Sequence, residues 1–255
     1  MMSSEAVQVA ERQRLLTKYK VVASLKIPLR ATDEHLKLVV RILAAFEGQA
    51  ERAQGLVAAL AAFTRAYEDF ARQLPTEVSV GVVRLRIACA AGCHHCCVTP
   101  VTVLSSEALT IAAHIRDTFS GARMVALAAR FVAYSLPADP QGTPASLCPL
   151  NEHGLCTVYE VRPFNCRRFH SLDLRACERY FSDRIAPSER LEEPNRADRF
   201  GFFWQSADVA FMALGLETRD LDFIPALLIA LSEPDAANRL LDGEAIFRGA
   251  LHPES

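Results

Sequence analysis

Residues 36–74 read LKLVVRILAAFEGQAERAQGLVAALAAFTRAYEDFARQL, with apolar members at Leu36, Val39, Leu43, Phe46, Ala50, Ala53, Val57, Leu60, Phe63, Tyr67, Phe70 and Leu74. Steps of three and four alternate throughout, the spacing that lines apolar side chains along one face of an α-helix. Asp33 stands as N-cap and Pro75 as the stop. Gly48 and Gly55 weaken the middle and admit a break or kink there. Such a stripe is buried either in an intramolecular hairpin or bundle, or in a dimerising coiled coil, for which the e/g charge pairing is poor. The expected fold is therefore mainly α, with helical flanks around a cysteine-rich metal-binding centre and one short strand or hairpin.

The rest of the chain extends this reading. Residues 77–88, EVSVGVVRLRIA, alternate as a strand or hairpin with Gly81 as a bend or bulge, and deliver the chain to Cys89. Residues 98–119 begin extended around Pro100 and turn helical near Ser105, with Glu107 in the first turn. A second helix follows over roughly 122–136, then a loop, LPADPQGTPAS, over 136–146. Further helices are expected at 200–216, ending at Gly215, and at 222–231 and 234–247. Phe202, Phe203, Trp204 and Phe211 read as core. The division is a helical region over 1–80, a cysteine-cluster metal-binding domain over 81–180, and a helical region over 181–255 packing on the same core.

The chain has 255 residues, 51% hydrophobic and 23% charged, with a net charge of −2. That mixture excludes a disordered chain, and the near-neutral balance argues against a protein held on nucleic acid by bulk charge. No apolar run reaches the roughly 18–20 residues of a membrane span. The opening residues carry no apolar stretch of the secretory kind, so a cytoplasmic protein is expected.

The eight cysteines decide the chemistry. They are Cys89, Cys93, Cys96, Cys97, Cys148, Cys156, Cys166 and Cys177, and none lies outside that interval. An even count admits disulfides, but a large chain without a secretory leader, carrying two adjacent cysteines in a C-x3-C-x2-C-C run, suits metal better. Thiolates brought together are stabilised by a shared cation. Cys96 and Cys97 leave the backbone in different directions, which favours two metals, or two corners of a cluster, side by side. The second group is too widely spaced to chelate alone and has to fold back on the first. Eight thiolates make two four-cysteine zinc sites, or hold an iron–sulfur cluster such as 4Fe–4S with spare thiols beside it.

These residues resemble the zinc- or iron-chelating CxxCxxCC family of cysteine-cluster proteins, also called YkgJ-like. The matching pieces begin with C-x3-C-x2-CC at Cys89–Cys97 with Gly92 before Cys93, followed by P-V-T-V and the EALTIAAHI helix. They continue with Cys148-Pro149, G-x-C-x-x-Y at Gly154, Cys156 and Tyr159, and RP-x2-C-R at Arg162, Pro163, Cys166 and Arg167. S-x-D-x3-C at Ser171, Asp173 and Cys177 closes the pattern, which spans roughly 85–180. The resemblance implies metal chelation. Flagellin lysine methylases carry a similar cysteine domain, so it also admits an enzyme.

Cys89, Cys93 and Cys96 share the spacing of radical enzymes that use S-adenosylmethionine, but the following chain lacks their repeated strand–helix units. No G-x-G or P-loop is present. His94 and His95 are ligands or, more simply, neighbours of ligands. His153 and His170 read as loop histidines, and Tyr159 as a core aromatic. Arg162 is expected to pair with Glu160 or a carbonyl, and Pro163 to begin a helix at N1. Arg167 and Arg168 would offset thiolate charge, and Asp173 would orient a ligand or accept from Arg167. The function read from the sequence is a metal-binding protein that chelates iron, as an iron–sulfur cluster, or zinc through its eight cysteines. Its partner is the metal ion or cluster. The alternatives are an iron–sulfur enzyme for redox or group-transfer chemistry, and a structural zinc interaction module.

Overall fold

The computed structural model describes residues 4–21, 33–80, 82–90, 92–134, 147–183 and 194–253. Gly81 and the expected loop at 136–146 lie outside the described residues.

The chain is mainly helical. After α1 (Ser4–Lys18), the 36–74 stretch forms two helices, α2 (Asp33–Glu47) and α3 (Arg52–Gln73), which pack on each other. The break falls where the first glycine predicts it: the Gly48 N–H caps α2 on Ala44 O at 3.0 Å. The second glycine serves the hairpin differently. A Cβ on Gly55 would stand 2.7 Å from Phe46 O, so only glycine lets α3 approach the end of α2 this closely. Much of the heptad stripe is thereby packed inside one chain, with Val39, Leu43, Leu60, Phe63 and Tyr67 in the core, while Ala50 and Val57 stay exposed and the neighbouring Leu56 turns inward instead. Leu74 ends α3 in extended conformation just before Pro75.

Among the described residues the strands form three two-stranded antiparallel pairs rather than one. β1 (Glu77–Val80) pairs with β2 (Val83–Arg86), with Val80 opposite Val83. β3 (Thr102–Val103) meets β6 (Leu221–Asp222) across the molecule, and β4 (Asn151–Glu152) meets β5 (Leu155–Cys156). Between them run α4 (Ser105–Thr118), α5 (Gly121–Tyr134), α6 (Phe164–Arg168), α7 (Leu174–Asp183) and α8 (Pro194–Ala213). Gly215 follows α8 at φ +83°, as a C-terminal glycine should. α9 (Phe223–Ser232) and a short α10 (Ala236–Leu241) complete the chain. The helix expected over 234–247 covers only its first half, because Gly243 at φ +89° turns the chain out of it.

One hydrophobic core runs through α2, α3, α4, α8 and α9. Phe203 and Phe211 are fully inside it, while Phe202 and Trp204 pack on it from its edge. Its aromatic centre is Phe164, with ring centroids 4.9 Å from Phe63, 4.6 Å from Tyr67 and 5.3 Å from Phe200. Edge and offset contacts of this kind add about 0.5–1.5 kcal/mol each beyond area burial. Phe164 lies two residues before Cys166, so the helical core fixes one side of the cysteine region directly.

Candidate metal centre

The β1–β2 hairpin leads into Cys89, and the backbone then closes two turns. Gly92, at φ +82°, makes the first, with Cys93 N–H donating to Ala90 O at 3.1 Å. The second is a single 3₁₀ turn, His95–Val98, that carries Cys96 and Cys97. The distant cysteines are stitched onto this segment. Cys148 N–H donates to Cys97 O at 2.8 Å, and Ala88 N–H donates to Ser171 O at 2.8 Å. Ser171 N–H in turn reaches Cys89 Sγ at 3.3 Å, and Asn151 Nδ2 reaches Cys97 Sγ at 3.5 Å. These bonds bring the segments that carry the two cysteine groups together.

All eight cysteines are unbridged. Their mutual electrostatics divide them. Cys89 feels the charges of Cys96, Cys93 and Cys177, whereas Cys166 feels Cys148, Cys96 and Cys156. Cys96 is thus common to both neighbourhoods. Burial pushes the Cys89 thiol up to about 11 and the Cys148 thiol up to about 12, and raises Cys156 and Cys166 as well. Neighbouring thiolates add to the rise in each. A buried set of this kind is stable as neutral thiols or as thiolates around a cation, but not as bare thiolates.

Cations placed by the fold counter that charge. The Arg162 guanidinium opposes the rise at both Cys156 and Cys166, and Arg167 does so at Cys156. Arg162 does not pair with Glu160. It lies over the Tyr159 ring at 4.1 Å, and its Nε is buried without a hydrogen-bond partner. Tyr159 is 56% exposed and is not a core residue; Arg162 covers one face of it.

Arg167 is buried and ties the cysteine loop to the core. Its Nε donates to Arg162 O at 2.9 Å, and its terminal nitrogens bind Glu160 O and the Glu68 carboxylate on α3. Fully buried Glu107 on α4 completes the clamp. It accepts from Phe164 N–H at 2.6 Å and from Leu104 N–H at 2.9 Å, while burial pushes its carboxyl up to about 7. Pro163 is the N-cap of α6 rather than its first helical residue. Arg168 stacks on Phe200 at 4.2 Å and donates to Asn165 Oδ1 at 3.0 Å.

Asp173 does not accept from Arg167, whose partners are Arg162 O, Glu160 O and Glu68. The Asp173 Oδ1 accepts from Ala176 N–H at 3.0 Å and caps α7, the helix that bears Cys177. His94 and His95 stack on each other at 5.3 Å and both meet the edge of Phe181 on α7. His94 also rests on Gly154, where a Cβ would come within 3.2 Å of its Nδ1. His95 Nδ1 is buried with no partner. His153 forms the β4–β5 turn at φ +53°. Nothing in its spacing marks Glu68 as part of this region, and the sequence places Glu107 only in the first turn of its helix, within the EALTIAAHI piece.

Among the described residues no three His, Cys, Asp or Glu side chains stand in an arrangement that holds a metal ion as they are. The donor chemistry nevertheless fits a thiolate-bound metal: eight unbridged thiols, cationic Arg162 beside them, and two buried polar atoms left unpaired at their margin. No family model, curated protein or solved structure matches the chain. No helix among the described residues is long and apolar enough to cross a membrane.

Proposed function

We propose that this protein binds metal through Cys89, Cys93, Cys96, Cys97, Cys148, Cys156, Cys166 and Cys177, as an iron–sulfur cluster or as zinc, as the YkgJ-like resemblance implies. The observation that carries the reading is the convergence of two distant groups of unbridged, electrostatically coupled thiols on one short turn. Cys89, Cys93 and Cys177 would hold one side and Cys148, Cys156 and Cys166 the other, with Cys96 and Cys97 divided between them. Three cysteines and one of the adjacent pair make a tetrahedral zinc set on each side. Shared thiolates make a cluster site instead. Binding displaces protons from raised thiols and requires side chains to close around the ion. The site is proposed to work in the cytoplasm, where thiols stay reduced, and without nucleic acid. A dimer through the N-terminal helices would have to use the faces of α2 and α3 outside the core.

The enzyme reading has one specific support. A cavity of about 640 Å³ opens between α3, α4 and α10, and its wall includes Val161, the neighbour of Arg162. That volume falls in the range of small-molecule sites. Metal and sulfide analysis of anaerobically purified protein, with its visible spectrum, tests the metal-binding reading, on which the enzyme reading depends. Brown protein with acid-labile sulfide supports a cluster, and colourless protein with stoichiometric zinc supports zinc sites. Protein with neither, which also fails to take up either metal, refutes the proposal.

A further inference from the structure

We propose that the cavity between α3, α4 and α10 binds a small organic cation: a protonated primary amine on a short apolar chain that ends in a neutral hydrogen-bonding group. This names the ligand class of the cavity, and it rests on the cavity's own residues rather than on metal at the cysteines. The cavity, of about 640 Å³, lies within the range of small-molecule sites and has two unlike walls. The α3 wall is apolar, with Ala53, Val57 and Ala61 one helical turn apart. The α4 wall is polar, with Thr110, His114 and Asp117 spaced by four and three along one face.

Two observations on the polar wall select that ligand. Thr110 is only 8% exposed, yet its hydroxyl has no hydrogen-bond partner among the described residues. It stands midway across the α4 face that lines the cavity. A buried hydroxyl left unpaired is costly, and a neutral donor or acceptor brought in by a ligand removes that cost. Asp117 is the penultimate residue of α4, where its charge meets the negative end of the helix dipole. Among the described residues no cation pairs with it. The neighbouring Arg116 is engaged elsewhere, on Ala230 O and Glu233 O at the end of α9, and the Glu233 carboxylate pairs with Arg239 at 2.8 Å. An ammonium at Asp117 supplies the missing counter-charge, whereas an anion there meets a carboxylate and a negative helix end. At 1.5 Å per residue the steps from Thr110 to Asp117 cover about 10 Å, which sets the length of the chain between the two polar ends.

Titration calorimetry of the full chain with aminohexanol, hexylamine, hexanol and hydroxyhexanoate tests this. Aminohexanol is expected to bind saturably and most tightly, with a Kd on the order of a millimolar as suits so small a ligand, and hydroxyhexanoate most weakly. Asp117→Asn is expected to weaken aminohexanol about threefold to tenfold and to leave hexanol unchanged. Thr110→Val keeps the side-chain shape and is expected to bring aminohexanol down to the affinity of hexylamine, with hexylamine itself unchanged. The unchanged ligand in each variant shows that the cavity is intact. Wild-type protein that takes up neither amine, or that binds hydroxyhexanoate as tightly as aminohexanol, overturns the site, and so does Asp117→Asn protein with wild-type affinity for aminohexanol. Thr110→Val protein that still prefers aminohexanol to hexylamine overturns the role of the hydroxyl. No arm depends on metal, so metal-free protein that binds aminohexanol upholds this site even where the metal proposal fails.

Discussion

Asp208 on α8 is a part-buried carboxyl whose charge the fold disfavours. Its Oδ1 is buried without a partner, and burial, then the charge of Asp220, pushes its carboxyl up to about 7. The folded chain thus keeps a proton that the unfolded chain, with an ordinary carboxyl, gives up. Stability from this group is full below the ordinary carboxylate range and is lost as pH rises through about 7. Asp208→Asn is expected to raise stability near pH 8 by about 1–2 kcal/mol, allowing for its partial exposure, and to do much less near pH 5. Thermal melts at both pH values check this; equal gains would point to a cause other than charge. Cys96 and Cys97 carry the second prediction. If both are ligands they serve different metal atoms, so in a two-zinc protein Cys96→Ser and Cys97→Ser each lose about one metal, from different sites. In a cluster protein, loss of a true ligand removes iron and sulfide together, while loss of a spare thiol leaves the spectrum intact.

The short helix α6 depends on what lies beneath it. Five residues cannot hold a helix by propensity, and α6 stands because Phe164 is locked in the aromatic core and its N–H is held by Glu107. Glu107→Gln keeps one acceptor but turns an NH₂ toward one of two backbone donors. A cost of about 1–3 kcal/mol is expected in urea unfolding, with weaker metal retention because Cys166 rides on the same helix. Glu107→Gln protein with wild-type metal retention would separate the clamp from the metal site. The 36–74 stretch shows how far pattern reaches at this level. Its period fixes two helices' worth of buried face, yet the hairpin arises from contacts the pattern does not contain, above all the close approach of Gly55 to Phe46.

The core that joins α2, α3, α4, α8 and α9 contains none of the eight cysteines among its fully buried members; Cys148 and Cys156 only pack against it from its margin. A metal bound only by the native state adds stability by mass action, but this core has its own apolar faces to bury. Removing metal with a chelator is therefore expected to lower the melting temperature and loosen 89–177 while most helical circular dichroism persists. Complete loss of helix on chelation would show that metal holds the whole fold. An unchanged melting curve would show that metal and folding are not linked.

Helical content, the approach to Cys89, the helix from Ser105 and the glycine stop at Gly215 were legible in the sequence, because period, caps and left-handed turns act over a few residues. An approach of the two cysteine segments was legible too, as an expectation that followed from reading the widely spaced thiols as ligands. Only the tertiary structure decided which polar groups stand around them. It put Tyr159 on the surface under Arg162, made Asp173 a helix cap, and brought Glu68 and Glu107 from separate helices to hold the Cys166 segment. Those partners lie 57 to 99 positions away along the chain. Their selection depends on desolvation and on which donors the packed core leaves unpaired, quantities that do not exist until the helices have packed.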